Sequence, residues 1–136
     1  MSNICVIGES DPFVAQLLQR FAEESGLQAM RGSVSQDVMA LVKQHDPAIV
    51  VLDLELPGEL QGWEVIRKLR TEPDFSSMPV ISCSWLSKPK ASSLIGDLAG
   101  HLKKPEIHYS DFVAALRAAG IALHPPADIQ EIFEQD

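Results

Sequence analysis

Short apolar runs alternate along the chain with stretches of helical period. The runs are ICVIG (4–8), LQAM (27–30), AIVVLD (48–53), PVISCS (79–84) and a weaker GHLK (100–103). Each has strand length, and the central ones show no polar alternation, as expected of strands covered on both faces. Between them, apolar residues recur at helical spacing: Phe13, Leu17, Leu18 and Phe21, then Val38, Leu41 and Val42, then Val65, Ile66 and Leu69. Each set predicts an amphipathic helix with one face on a sheet. A fourth helix is expected around ASSLIGDLA (91–99), where Gly96 and the serines lower propensity. A fifth, SDFVAALRAA (110–119), should end at Gly120. Strands alternating with helices predict an α/β domain on a parallel sheet.

Composition narrows the picture. The chain has 136 residues, 46% of them hydrophobic and 22% charged, which suits one soluble domain with a single core. No apolar run approaches the roughly 20 residues of a membrane helix. The opening MSNICVIGE lacks the basic-then-apolar pattern of a secretory leader, so a cytoplasmic protein is expected. A net charge of −8 argues against nucleic acid as a partner. Cys5 and Cys83 sit inside apolar runs and read as reduced core thiols. The four histidines show no ligand spacing.

The candidate chemistry lies where the strands end. The run 49–52 leads straight into a carboxylate, Asp53. Parallel strands joined by right-handed crossovers end on one edge, and ligands of such sheets bind outside that edge. The first strand runs into Glu9, Ser10 and Asp11, the fourth ends at Ser84, and the fifth runs into Lys103, Lys104 and Pro105. Carboxylates, a hydroxyl and an ammonium should therefore share one crevice.

The stretch DPAIVVLDLELPGELQGWEVIRKLR, with its Leu56-Pro57 pair and Gly62, resembles the phosphoacceptor segment of response regulator receiver domains. MPVISCS resembles the family's strand with the switch hydroxyl, and HLKKP its Lys-Pro signature. The resemblance covers residues 1–120 and leaves 121–136 as a short tail. It implies a flavodoxin-like (βα)5 doubly wound sheet of strand order 2-1-3-4-5. It also implies that Asp53 is the phosphoacceptor, Ser84 the switch hydroxyl and Lys104 the phosphoryl-contacting cation. Mg²⁺ would be held by Glu9, Asp53 and the backbone carbonyl of Glu55. Mg²⁺ suits such a site because it takes hard oxygen ligands and binds through one or two carboxylates plus phosphate. The expected partner is a histidine kinase or phosphotransfer protein. The output face of the fourth helix, fifth strand and fifth helix, including Leu94, His101, Asp111 and Arg117, would serve a target or a homodimer. Pro105 is expected to follow a cis peptide.

Departures from the family pattern leave alternatives open. Where the family has two adjacent acids, this chain has Glu9 and Ser10, which removes one direct metal ligand. Asp11 either replaces it or, followed by Pro12, caps the first helix. The loop after Asp53 is one residue longer than usual, the fourth crossover is shorter, and His101 stands where the family places a rotating Tyr or Phe. The principal reading is a phosphoacceptor rather than an enzyme; the alternative is a degenerate receiver that only docks or dimerises. A phosphatase of the haloacid dehalogenase type would want an Asp at position 55 and a late acidic pair, and has neither. The tail segment ADIQEIFEQ would place Ile129, Ile132 and Phe133 on one side of a short helix.

Overall fold

The computed structural model describes residues 2–124. The alternation in the sequence becomes β1 Ile4–Gly8, α1 Pro12–Glu24, β2 Gln28–Gly32, α2 Ser35–His45, β3 Ile49–Asp53, α3 Gly62–Arg70, β4 Val80–Ser84, α4 Lys88–Ile95, β5 Gly100–Lys103 and α5 Tyr109–Ala118. The strands form one sheet in the order β2-β1-β3-β4-β5, and every pairing is parallel. This is the flavodoxin-like order, with helices on both faces. No described helix is long and apolar enough to cross a membrane.

Period-2 alternation divides the core between the two faces. Val6, Val50, Leu52 and Val80 pack with Val38, Val65, Ile66 and Ile95 under α2, α3 and α4. Cys5, Ile7, Ile49, Val51, Ile81 and Cys83 pack with Leu18, Phe21, Phe112 and Leu116 under α1 and α5. β3 and β4 are buried at every position, which explains the unbroken apolar run of β3; β4 carries the buried serines Ser82 and Ser84. Cys5 and Cys83 are free and buried. Burial pushes both thiols up to about 12, so neither ionises in neutral solution.

Two expectations are corrected. Phe13 does not belong to the buried stripe of α1 and is 85% exposed. It lies five residues before Leu18, about 140° around a helix that turns 100° per residue, while Ala15, Leu18, Phe21 and Ala22 face the sheet. The fourth helix starts and ends earlier than its apolar residues suggested. Ser87 caps it by accepting from the Lys90 amide at 3.4 Å, Pro89 occupies its first turn, and Gly96 (φ 82°) stops it.

Past α5 the chain stays on the domain. Ile121 and Leu123 pack against the α1/α5 face, and the His124 amide donates to the Ser25 carbonyl at 3.0 Å. The expected helical turn at Ile129, Ile132 and Phe133 lies outside the described residues.

Candidate functional site

At the carboxyl edge of the sheet, β1, β3 and β5 deliver Glu9, Asp53 and Lys104 to one buried cluster. Strand period puts Glu9 in the row of Cys5 and Ile7, and Asp53 in the row of Ile49 and Val51. Lys104 is carried in from the far side of β4, its amide donating to the Ser84 carbonyl at 2.8 Å. Its Nζ lies 2.7 Å from Glu9 Oε1 and 3.1 Å from Asp53 Oδ2. Side-chain exposure is 10% for Lys104, 1% for Glu9 and 9% for Asp53, so water screens little of this triad. The Lys104–Pro105 peptide is cis, as expected.

The remaining carboxylate oxygens are held by backbone. Asp53 Oδ1 accepts the Glu55 amide at 2.9 Å, and Glu9 Oε2 accepts the Asp11 amide at 3.2 Å. Glu9 Oε1 has the lysine at ion-pair distance, yet no donor is directed at it as a hydrogen bond, although the atom is buried. Two acids share one base, and the titration behaviour follows from that count. Burial raises the Glu9 carboxyl above its ordinary value, more than Lys104 pulls it back, and Asp53 adds to the rise. Burial pulls the Lys104 ammonium down, but Glu9 and Asp53 together outweigh it and leave it above its ordinary value. With both acids ionised the buried cluster carries one net negative charge, a balance that favours a proton or a further cation.

The fit to a divalent cation can be judged from these donors. The under-bonded Glu9 Oε1 and the Asp53 carboxylate are two hard, anionic oxygen donors, which is the number of protein carboxylates Mg²⁺ typically uses. The residues present therefore fit Mg²⁺, with fewer anionic ligands than a three-acid site. Among the described residues no group of three His, Cys, Asp or Glu side chains is arranged to hold a metal. Ser10, at the position of the missing acid, is exposed. Asp11 acts as the helix cap: its Oδ1 accepts from the amides of Phe13 at 2.9 Å and Val14 at 3.4 Å, with Pro12 opening α1. The side chain of Glu55 is exposed.

The loop after Asp53 is held from two directions. A Cβ on Gly62 would collide with the Asp53 carbonyl, so the glycine lets α3 start directly against the end of β3. On the other side, Ser35 Oγ accepts the Leu60 amide at 3.0 Å and Gln36 Oε1 the Glu59 amide at 3.1 Å. The Ser35 amide donates back to the Pro57 carbonyl at 2.8 Å. The longer loop is thus absorbed by the first turn of α2, a role that nothing in the run SQDV suggested.

Ser84 is fully buried beside this cluster but is not joined to it: its hydroxyl accepts the Leu86 amide at 2.9 Å. Sequence reasoning also missed a chain of contacts next to it. His101 Nδ1 meets Ser82 Oγ at 2.5 Å, and His101 Nε2 meets the Leu86 carbonyl at 2.6 Å. A serine in the middle of a fully buried strand was the available signal, since a buried hydroxyl needs a partner. Of the expected output residues, His101 and Asp111 line an open groove of about 810 Å³ together with Lys88, Lys103 and Ala118. Leu94 instead packs against the core under α3 and α4, and Arg117 is exposed on α5 outside the groove lining.

Comparison with known proteins agrees with this architecture. The family model "response regulator receiver domain" matches residues 4–117. Protein PilH of Pseudomonas aeruginosa is 31% identical over 81 residues, 60% of this chain and 65% of that protein, so the match spans just under two thirds of PilH. The polar-differentiation response regulator DivK of Brucella ovis is 27% identical over 107 residues, 77% of this chain and 86% of DivK. The high-resolution structure of the chemotaxis response regulator CheY4 of Vibrio cholerae superposes with a TM-score of 0.75, covering 88% of this chain and 99% of that one. Its identity is 13%, so this last likeness concerns the fold alone. The chain belongs to the response regulator receiver domain family.

Proposed function

We propose that this receiver domain takes a phosphoryl group from a histidine kinase or phosphotransfer protein onto Asp53 and changes its partner binding as a result. The observation that carries the reading is the lysine bridge: one ammonium within 3.1 Å of both Glu9 and Asp53, buried at the sheet edge where ligands of this fold bind. In the transfer, an Asp53 carboxylate oxygen attacks phosphorus, the bond to the donor's imidazole nitrogen breaks, and that nitrogen keeps the electron pair. Lys104 lies against Asp53 Oδ2 and is placed to meet the negative charge on the transferred oxygens. The Glu55 amide, directed at Oδ1, fixes the carboxylate plane. Receiver domains generally bind Mg²⁺ at their acidic pocket; here Glu9, Asp53 and the Glu55 carbonyl would hold it, and it would supply further positive charge against the phosphoryl oxygens. Asp53 is a stoichiometric acceptor in this reading, and the groove at α4, β5 and α5 is the surface offered to a target or a second copy.

A second reading has its own observation. With Ser10 neutral and exposed, the pocket lacks an acid, as a phosphorylation-independent docking module would. Intact mass after treatment with acetyl phosphate and Mg²⁺ separates the two. A gain of one phosphoryl group in the native chain and none in Asp53→Asn supports the phosphoacceptor. Equal gains in both remove Asp53 from the role, and no gain in either favours the docking module.

A further inference from the structure

We infer that Ser35 is a positioning residue for the cation site: with Gln36 it holds the loop after Asp53 against the start of α2, and so keeps the Glu55 carbonyl in place. The inference rests on the reading that Glu9, Asp53 and the Glu55 carbonyl hold Mg²⁺, but the clasp is a property of the metal-free chain.

The hydroxyl of Ser35 serves the loop rather than its own helix. Helix α2 opens at Ser35 behind Val34, an N-cap whose side chain makes no capping bond. A helix start leaves backbone N–H groups without intrahelical partners. Here the Ser35 amide donates to the Pro57 carbonyl at 2.8 Å, so the loop caps the helix. Ser35 is buried, and its hydroxyl has both roles filled: it accepts the Leu60 amide at 3.0 Å and donates to Gln36 Oε1 at 3.3 Å. The same Gln36 oxygen accepts the Glu59 amide at 3.1 Å. Among the described residues, every hydrogen bond made by the backbone of 57–60 runs to Ser35 or Gln36. Gly58 permits the close approach: its φ is 136°, and a Cβ there would strike Ser35 Oγ and Gln36 Oε1.

The coupling to the pocket runs along the chain. The Leu56 amide donates to the Asp53 carbonyl at 3.1 Å, Pro57 follows with a fixed φ, and the Pro57 carbonyl is held by the Ser35 amide. The peptide that carries the Glu55 carbonyl therefore sits between two fixed points, Asp53 before it and α2 after it. Without the Ser35 hydroxyl the Leu60 amide loses its partner and Gln36 Oε1 loses a donor that orients it, so the second point loosens. The same corner holds the opposite wall of the pocket, since the Glu9 amide donates to the Gly32 carbonyl at 3.1 Å. A site with few anionic ligands depends the more on a neutral carbonyl already in place, because Mg²⁺ demands near-ideal octahedral geometry. Loosening the loop lowers the fraction of chains ready to bind, and the apparent affinity falls by that fraction.

Two variants cut the clasp. Ser35→Ala removes the hydroxyl, and Gln36→Met, at an exposed position, keeps the length of the side chain and removes the acceptor. In the metal-free chain, hydrogen exchange at the Leu60 amide should quicken about 2- to 12-fold in Ser35→Ala, the factor that one net hydrogen bond supplies. Exchange at the Glu59 amide should quicken by a similar factor in Gln36→Met. Unchanged rates at both amides overturn the clasp. Calorimetric titration with Mg²⁺ should show an affinity lowered at least about twofold in each variant. Gly26→Ala at the opposite edge is the control, because it strains the backbone far from the loop, and it should bind Mg²⁺ as the native chain does. Native affinity in both clasp variants, with faster exchange, overturns the positioning role. An equal loss in Gly26→Ala also overturns it, because general destabilisation would then be the cause. If the native chain binds no Mg²⁺ while Leu60 exchange still responds to Ser35→Ala, the metal reading fails: the clasp holds the loop but positions no cation, and the inference falls with the reading it rests on.

Discussion

The two edges of the sheet are built from the same strands and closed by opposite means. At the amino edge, backbone does the work: the Ala48 amide donates to the Ile4 carbonyl at 2.9 Å, Gln28 to Asn3 at 2.8 Å, and Ala99 to Val80 at 2.8 Å. Leu27, Pro47, Ala48, Pro79 and Ile121 line an apolar hollow there of about 650 Å³, with no ion pair among the described residues. At the carboxyl edge, three ionisable side chains are buried against one another. Taking charges out of water costs several kcal/mol per ion before their attraction repays any of it. The amino edge shows that this sheet can be closed without that cost. The charges at the other edge are therefore better explained by what they bind than by what they hold together.

The largest test of that contrast is Lys104→Met. It leaves Glu9 and Asp53 buried with no counter-charge, and a loss of about 3–5 kcal/mol in urea unfolding at neutral pH is expected. Millimolar Mg²⁺ should recover part of the loss, because a ligand of the folded state stabilises it. A loss under about 1 kcal/mol would show that water reaches the cluster and that it behaves as a surface pair.

The matching test at the amino edge is Gly26→Ala. Gly26 has a φ of 86°, and a Cβ there would run into the His124 carbonyl. Destabilisation of about 1–3 kcal/mol is expected from the backbone conformation and the displaced chain. Mg²⁺ affinity and the phosphorylated fraction should not change. A change in either would join the two edges that the structure keeps apart.

A pH series sharpens the contrast further. Glu9 has a folded value raised above its ordinary 4.5, so its proton is lost only above that pH, and a protonated Glu9 cannot serve a cation. Mg²⁺ affinity should fall as pH falls through the raised Glu9 value, and the midpoint should lie above 4.5. Stability runs the opposite way: the folded chain holds this proton more tightly than the unfolded one, so protonation of Glu9 favours the fold as pH drops toward 4.5. At the other end, Lys104 holds its proton above 10.5, so its contribution to stability is present below that pH and is lost as pH rises through its raised value. Glu9→Gln should flatten the acid limb in isothermal titration and in unfolding, and should also lessen the alkaline one, because Glu9 is one of the two acids that hold the Lys104 proton.

Legibility in the sequence follows the same division. The runs of β1, β3 and β4 and the helices after β1 and β3 could be read because burial on both faces leaves few polar interruptions, the serines of β4 being the exception. The shared edge of Glu9, Asp53, Ser84 and Lys104 could be read because strand ends on a parallel sheet lie together. Phe13 misled because an apolar residue at helical spacing is not necessarily within the buried arc. The clasp of Ser35 and Gln36 on the long loop could not be read, and of the His101 contacts only the buried Ser82 hydroxyl gave a sign. Both are contacts between residues far apart in sequence, made by side chains whose types are common on any surface.

The smallest effects are expected at Ser10 and Asp11, the two residues that follow Glu9. Ser10 stands where a second acid would supply an anionic ligand, and it is exposed, so an aspartate there has room to reach the pocket without repacking the core. Ser10→Asp should tighten Mg²⁺ on the order of tenfold, the size of one nearby charge's effect on a neighbouring ionic equilibrium. The same change should cost some stability in the absence of metal, because three acids would then face one ammonium. Asp11 lies one residue further on and points the other way: its Oδ1 is committed to the Phe13 and Val14 amides at the start of α1. Asparagine caps a helix about as well as aspartate, so Asp11→Asn should change stability by less than about 0.5 kcal/mol. Its Mg²⁺ affinity should stay within about twofold of native, a difference below the effect of one direct ligand. A Mg²⁺ titration of both variants by calorimetry reads the outcome. A large loss in Asp11→Asn with no gain in Ser10→Asp would shift the motif by one residue, making Asp11 the second ligand and its capping bonds a feature of the metal-free chain.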